Sequence, residues 1–408
     1  MILSDAHPFS HFARAIRFPP ARRCGTHYGR MTRPSAVDQM PDRIAPHAAV
    51  HFALRRALVC ACVVVLWVGA SACLTTRSTL AASTFAEQFD QIWSEYDKVY
   101  PAFGYKNVTQ SDWNNLRSKF RPRAVASRTE DEFISVVKEM LGPLRDVHAW
   151  FVDPNGTVVP TYVPWALENF DQERWVHALR NASYVAHGNA WGEGMIGGFA
   201  YIYIGTWGAN SIDSLALDAA LLRYRDTPGM IIDVRTNAGG SDAAAFAFAS
   251  RFVTQPYVVS YVRVRNGAMH DDLGPEQPRT IAPRGTWQYT KPVIVLAGRG
   301  GFSANESFVA AMSVLPHATV IGDTTGGASG NPKTIPLGNG WSFTVPRWIE
   351  LGPDRQPIEW RGVAPGVAVP WAPGAYTIDG DPLIDTAVGM LGEYVGLFRV
   401  APPDKIRH

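Results

Sequence analysis

Ser303 stands in the stretch Lys291 to Gly330, which reads as a buried strand, a glycine turn, a helix and a second strand. The run Val293-Ile294-Val295-Leu296-Ala297 is continuously apolar and rich in β-branched side chains, the pattern of a strand covered on both faces. From Phe308 to Leu315 the apolar positions change to helical spacing. Between the two, Gly298, Gly300 and Gly301 let the backbone reverse where side chains would obstruct it. Ser303 is therefore expected where the first free N–H groups of a helix point outward, a place that favours negative charge and suits a serine nucleophile. The same residues, Ser303-Ala304-Asn305-Glu306, also spell a capping box, in which the hydroxyl would serve only the backbone. Both readings stand on this stretch alone.

The elements around it repeat one plan. Gly229 to Arg235 reads as a strand that ends in Thr236-Asn237-Ala238-Gly239-Gly240, after which Ser241 or Asp242 caps a helix running to Phe252. Phe199 to Ile204 is another strand, followed by a helix from Ser211 to Arg225. Strand, turn and helix used repeatedly imply a mostly parallel α/β core, placed at 146–398. Three amphipathic helices precede it. Phe85, Phe89, Ile92, Trp93, Tyr96, Val99 and Tyr100 mark the first, Ser111 caps a second that ends at Phe120, and the capping box Thr129-x-x-Glu132 starts a third that ends at Leu141. They form a small helical N-terminal domain over 84–145. Residues 157–198 give no clear periodicity. Val258 to Arg265 alternates as an exposed strand, 266–292 is a Pro/Gly-rich excursion, Thr334 to Val345 is a hairpin around Asn339-Gly340, and Pro382 to Leu397 is a closing helix.

The 408-residue chain carries a formal net charge of +2, unevenly spread. Met1 to Cys73 holds nine Arg and three Asp, which leaves 29 basic and 33 acidic residues for the rest. A mildly acidic body without a basic stripe speaks against nucleic acid as a partner. Cys24, Cys60, Cys62 and Cys73 all lie in the front end, so the body has no disulfide and no cysteine-based metal site. Arg55-Arg56 followed by ALVCACVVVLWVGASAC gives a basic flank, an apolar run and small residues, the layout of a secretory signal over 41–73. Ala70-Ser71-Ala72-Cys73 resembles a lipobox, which points to lipidation at Cys73, with cleavage nearby or a retained anchor as the other fates. Residues 1–40 read as a disordered leader or an over-long start. The expected location is the periplasm or its membrane surface, reached by export.

LRDVH, IIDVRTNAGG, FSANES, GDTTGG, IEWRGVAP and DPLIDTAVGML occur in the order seen in the tail-specific, C-terminal-processing and tricorn-core family of serine peptidases, which the chain resembles from about Phe85 to Leu391. The resemblance implies a ClpP/crotonase-like spiral core and an acyl-enzyme formed on Ser303. Processing proteases of the family use a Ser/Lys dyad, but the lysine's place is Ala328 here, and Lys333 follows Pro332 at the start of a hairpin. The tricorn-like branch uses Ser, His and Glu, which implies His148 as general base and Glu359 as the carboxylate that orients it. The N–H groups of Ala304 and of Gly239 or Gly240 are the candidate oxyanion donors. This sequence departs from the branch at Val147, where a Ser is common, and at Pro365-Gly366, where Pro-Asp is usual. No PDZ module is implied between His148 and Asp233. The expectation is an exported serine endopeptidase acting on peptides or unfolded chains, with neither cofactor nor metal; the opposing class is a non-catalytic relative that keeps the cleft as a peptide-binding module. Oligomeric state does not follow from the sequence.

Overall fold

The computed structural model describes residues 83–399 apart from 165–168, 181, 209 and 371–379. The leader, the signal segment and Cys73 lie outside the described residues. Among those described, no helix is long and apolar enough to cross a membrane.

Helices α1 (Phe85–Val99), α2 (Gln110–Val125) and α3 (Glu130–Leu141) each start at a threonine cap, because Thr84, Thr109 and Thr129 accept the N–H three residues on. The second helix thus begins before Ser111: Thr109 and Asp112 form the capping box, and the helix continues through Pro122 to Val125. At α3 the Glu132 carboxylate bonds the N–H of Arg128, not that of Thr129. Phe89, Ile92, Tyr96, Trp113, Phe133 and Val137 from these helices share one core with Phe151, Phe343, Val345 and Ile349. The strands beneath are β1 (Trp150–Val152), β2 (Val158–Pro160), β11 (Lys333–Pro336) and β12 (Ser342–Val345), an antiparallel sheet in the order β11-β12-β1-β2. The β11–β12 pair is the expected hairpin, with Pro336 opposite Ser342.

The main sheet contains β3 (Val185–His187), β4 (Trp191–Ile196), β5 (Phe199–Ile204), β6 (Met230–Asp233), β9 (Val293–Ala297), β10 (Ala318–Gly322) and β14 (Val367–Ala368), in the order β14-β10-β9-β6-β5-β4-β3. From β5 through β14 the pairs are parallel, and β4 and β3 extend the edge antiparallel. Side chains alternate between two cores. Met230, Ile232, Val293, Val295 and Val320 face the layer of α5 (Ser214–Arg223), α6 (Asp242–Ala249) and α7 (Ala304–Ser313). Ile231, Ile294, Leu296 and Ile321 face α4 (Gln172–Leu179) and α8 (Pro382–Arg399), where Leu383, Ile384 and Leu391 are buried. A strand buried on both faces needs the unbroken apolar run seen in the sequence. A third sheet, β13-β7-β8, joins β7 (Tyr257–Val264), β8 (Gln277–Ile281) and β13 (Trp348–Leu351), so part of the Pro/Gly-rich excursion is a strand.

The ClpP/crotonase-like spiral is not what forms. Successive strand and helix units add sideways into one open sheet with helices on both faces, because β5, β6, β9 and β10 pair edge to edge in parallel register. The architecture is a layered, mixed α/β fold flanked by two smaller antiparallel sheets.

Candidate active site

Ser303 occupies the turn between β9 and α7 at φ 58°, ψ −127°. A non-glycine residue in this region carries about 1–3 kcal/mol of strain, sustained only where surrounding contacts fix it. Two such contacts meet its backbone. The Ser303 N–H donates to the Ala328 carbonyl at 2.9 Å, and Glu306 Oε2 lies 3.2 Å from the same N–H. Glu306 is fully buried and also accepts from the Thr325 hydroxyl and the N–H groups of Gly327 and Ala328. Burial pushes its pKa up to about 8, while these donors pull the other way. The Glu306 carboxylate of the capping box thus ties the serine turn to the 325–328 loop.

Gly239 explains the close fit on the other side. A Cβ there would lie 2.7 Å from Ser303 Cβ and 2.8 Å from the Phe302 carbonyl oxygen, and its φ is +105°. Of the expected oxyanion donors, the Gly239 N–H is given to Asn237 Oδ1 at 2.9 Å. The N–H of Gly240 has no acceptor among the described residues, and Ala304 is the first residue of α7, whose N–H has no partner within the helix. Ser303 and Gly240 open together onto a cavity of about 270 Å³, whose wall also includes Ser329, Gly330, Trp348 and Glu350. Glu350 is buried and accepts from Arg279 and from the hydroxyls of Ser260, Ser307 and Ser329.

Three further segments meet at this turn. Val147 and Ala328 share a small buried cluster, and the Trp360 N–H donates to the Gly327 carbonyl at 2.7 Å. His148 is fully buried, held by its backbone N–H to Asp146 Oδ1 and by its carbonyl, which accepts from the Thr344 hydroxyl. Its ring packs beside Gly330, where a Cβ would lie 3.5 Å from His148 Cγ. Neither ring nitrogen has a hydrogen-bond partner, so the ring is joined neither to Ser303 nor to a carboxylate. Asp146 Oδ1 is 3.9 Å from Nδ1. One donor atom from each of Asp146, His148 and Glu359 lies within 4.8 Å of the others, so the structure does gather His148 and Glu359. The Glu359 carboxylate of this trio is already held by the Lys106 ammonium. Burial keeps the imidazole pKa below its ordinary value, with Asp146 raising it and Lys106 lowering it.

Glu359 has different partners from those expected. Its Oε1 accepts from Lys106 Nζ at 2.5 Å and its Oε2 from the Ser329 N–H at 3.0 Å. Burial and the charge of Asp146 push its pKa up to about 7, against the pull of Lys106. Lys106 and Asp146 are not singled out by the sequence; the Leu-Arg-Asp-Val-His motif contains Asp146, but nothing local marks Lys106 as buried. Lys333 lies on β11, exposed, with Nζ 3.7 Å from Glu95. Asp233 and Arg235 form a fully buried ion pair extended to Asp381 beneath the sheet end, which fits a structural role.

Comparison with known proteins now places the chain. The family model for peptidase family S41 matches residues 198–369, and that for the tricorn protease C1 domain matches 81–142. Over these two stretches the chain is similar to the tail-specific, C-terminal-processing and tricorn-core serine peptidases. It is 28% identical over 171 residues to the carboxy-terminal processing protease CtpB of Bacillus subtilis (strain 168), covering 41% of this chain and 33% of that protein. The chain thus spans about a third of the length of this curated relative. A crystal structure of a candidate peptidase from Parabacteroides merdae ATCC 43184 is 27% identical and superimposes with a TM-score of 0.64, covering 80% of this chain and 100% of that one. The tricorn protease, at 15% identity and a TM-score of 0.52, shares the fold over 76% of this chain and 37% of its own.

Proposed function

We propose that this protein is a serine endopeptidase that hydrolyses peptide bonds through an acyl-enzyme on Ser303. The observation that carries the reading is the strained Ser303 turn, which opens onto a cavity beside two backbone N–H groups and the buried His148 cluster. In the proposed reaction His148 takes the hydroxyl proton as Ser303 Oγ attacks the substrate carbonyl. The N–H groups of Ala304 and Gly240 stabilise the oxyanion, and the proton passes to the departing amine. Water then releases the acyl group by the same route in reverse. Glu359 and Asp146 stabilise the imidazolium that forms between these steps. The ring must turn or shift toward Ser303 when substrate enters, since catalytic hydrogen bonds often close only in the complex.

The substrate is a peptide or an unfolded protein segment. Export, with Cys73 lipidated, rests on the sequence of residues 55–73, and palmitate incorporation lost in Cys73→Ser checks it. The alternative of a peptide-binding module draws on the missing Ser303–His148 bond. A fluorophosphonate probe decides between them: labelling abolished in Ser303→Ala is expected, and an unlabelled wild-type chain that still binds peptide would make it a binding module.

A further inference from the structure

Lys106 sits in a single helical turn, Gly104–Lys106, in the connection between α1 and α2, remote in sequence from every motif of the core. Its side chain has no exposure, and its Nζ lies 2.5 Å from Glu359 Oε1 and 3.9 Å from the centroid of the Trp360 ring. Tyr100, from the same connection, donates its hydroxyl to Asp146 Oδ2 at 2.8 Å. The α1–α2 connection therefore delivers two side chains into the cluster that surrounds His148.

The groups facing that ring can be counted by charge. Asp146 arrives from the loop before β1 and Glu359 from the loop after β13; Lys106 and the neutral Tyr100 hydroxyl come from the α1–α2 connection. Two carboxylates and one ammonium leave a single net negative charge beside a buried neutral imidazole. Burial and the charge of Asp146 favour a protonated Glu359, and the Lys106 ammonium is what favours its carboxylate form. The remaining negative charge matches the one positive charge that arises when His148 accepts a proton.

We propose that Lys106 is a positioning residue of the site: it clamps Glu359 as a carboxylate and offsets one of the two negative charges around His148, so that the ring rests as a neutral base. The inference builds on the peptidase reading given above. With Lys106 removed, the ring and the two carboxyl groups together take up one proton at higher pH, on Glu359 or on the ring, and either disables the pair. The helical segment is then part of the catalytic machinery, because it sets the charge on a base that belongs to the core.

The test is a ring titration of His148 by NMR in the full chain, beside kcat and KM for a fluorogenic peptide across pH. In Lys106→Met the acid limb of kcat/KM should move up by about one pH unit or more, with the ring titration altered from wild type. On that limb kcat should fall on the order of tenfold with KM little changed, and Lys106→Arg should lie closer to wild type. If Lys106→Met folds poorly, Lys106→Met/Glu359→Gln removes the pair while keeping the net charge of the cluster. Its ring pKa should return close to the wild-type value, with turnover still low for want of the carboxylate. A Lys106→Met enzyme with wild-type titration and turnover overturns the proposal. So does an inactive Lys106→Met beside an active His148→Ala, which would make Lys106 the base. If the ring titration shifts as expected while the wild-type chain neither turns over peptide nor takes the fluorophosphonate, the peptidase reading fails and the positioning role falls with it.

Discussion

The chain builds the same strand, turn and helix twice in adjacent positions of one sheet, and the two turns hold their serines differently. After β6 the turn passes through Gly239 and Gly240, and Ser241 begins α6 at φ −91°, ψ 115°, its hydroxyl accepting the Ala244 N–H. After β9 the glycines come earlier and Ser303 itself takes the positive φ of 58° at the start of α7. Ser241 has the extended backbone that any cap adopts, and its oxygen is used by the helix. Ser303 is held in a conformation costly to L-residues by bonds to its own backbone N–H, with its side chain on the cavity. Glycine would sit there without strain, and in the proposed reaction the hydroxyl is what serine adds at this position. The first turn sets glycine backbone close against Ser303, and residues of both turns line the cavity.

The largest expected effect concerns chemistry at the second turn. Ser303→Ala should abolish peptide turnover, and His148→Ala should lower kcat by about 10³-fold or more with the fold intact by circular dichroism. Lys333→Ala, at an exposed position paired with Glu95, should stay within twofold of wild type, an order-of-magnitude expectation for a surface ion pair. Since burial lowers the His148 pKa, the rise of kcat/KM with pH should have its midpoint below the ordinary imidazole value of 6.5. The same shift has a stability sign. Below that value the unfolded chain binds the proton before the native ring does, so native stability falls as pH drops below 6.5, and His148→Phe should remove that part of the acid sensitivity. An active His148→Ala would break the comparison, because the second turn would then work without its neighbouring base.

The next effect tests how tightly the turns depend on each other. Gly239→Ala places a methyl group 2.7 Å from Ser303 Cβ, against backbone that has no room to yield, at a φ that alanine resists. A loss of stability of about 2–4 kcal/mol is expected from overpacking and strain together, with activity falling further than the folded fraction. Urea unfolding monitored beside kcat on the folded fraction checks it. Unchanged kcat per folded molecule would show that the first turn supports the second without setting its geometry.

Much of the fold and part of the site are legible in the amino-acid sequence, for physical reasons that also explain what is not. β6 and β9 announce themselves because a strand buried on both faces must be apolar throughout, and the turns because glycine adopts such backbone without strain. Ser303, His148 and Glu359 stand in short motifs in the right order, and the structure gathers the last two. The spiral was wrong because local patterns specify strands but not how the units stack: the lateral register of β5, β6, β9 and β10 is a long-range property. Lys106 is invisible for the same reason. A lysine in Phe-Gly-Tyr-Lys-Asn looks like an ordinary solvated side chain, and its partner lies 253 residues away. Glu350 is hidden differently. It sits on β13, a short strand next to the hairpin that no sequence pattern marks, and faces inward to collect three hydroxyls and Arg279.

The smallest effect gives the sharpest form of the comparison, because the two serines should respond with opposite signs. Ser241→Ala deletes a working cap and should destabilise the fold by about 1 kcal/mol, while fluorophosphonate still labels Ser303. Ser303→Gly removes a side chain from a positive-φ position and should relieve strain, stabilising the fold by about 1 kcal/mol even after the greater freedom of glycine in the unfolded chain is deducted. It should also eliminate labelling, so that the more stable protein is the inactive one. Chemical denaturation of both variants, with the slope against denaturant compared to wild type, reads the two signs directly. Destabilisation by Ser303→Gly similar to that of Ser241→Ala would mean that the Ser303 hydroxyl serves the helix after all. In that case the two turns would be equivalent, and the assignment of a nucleophile to the second would lose its structural basis.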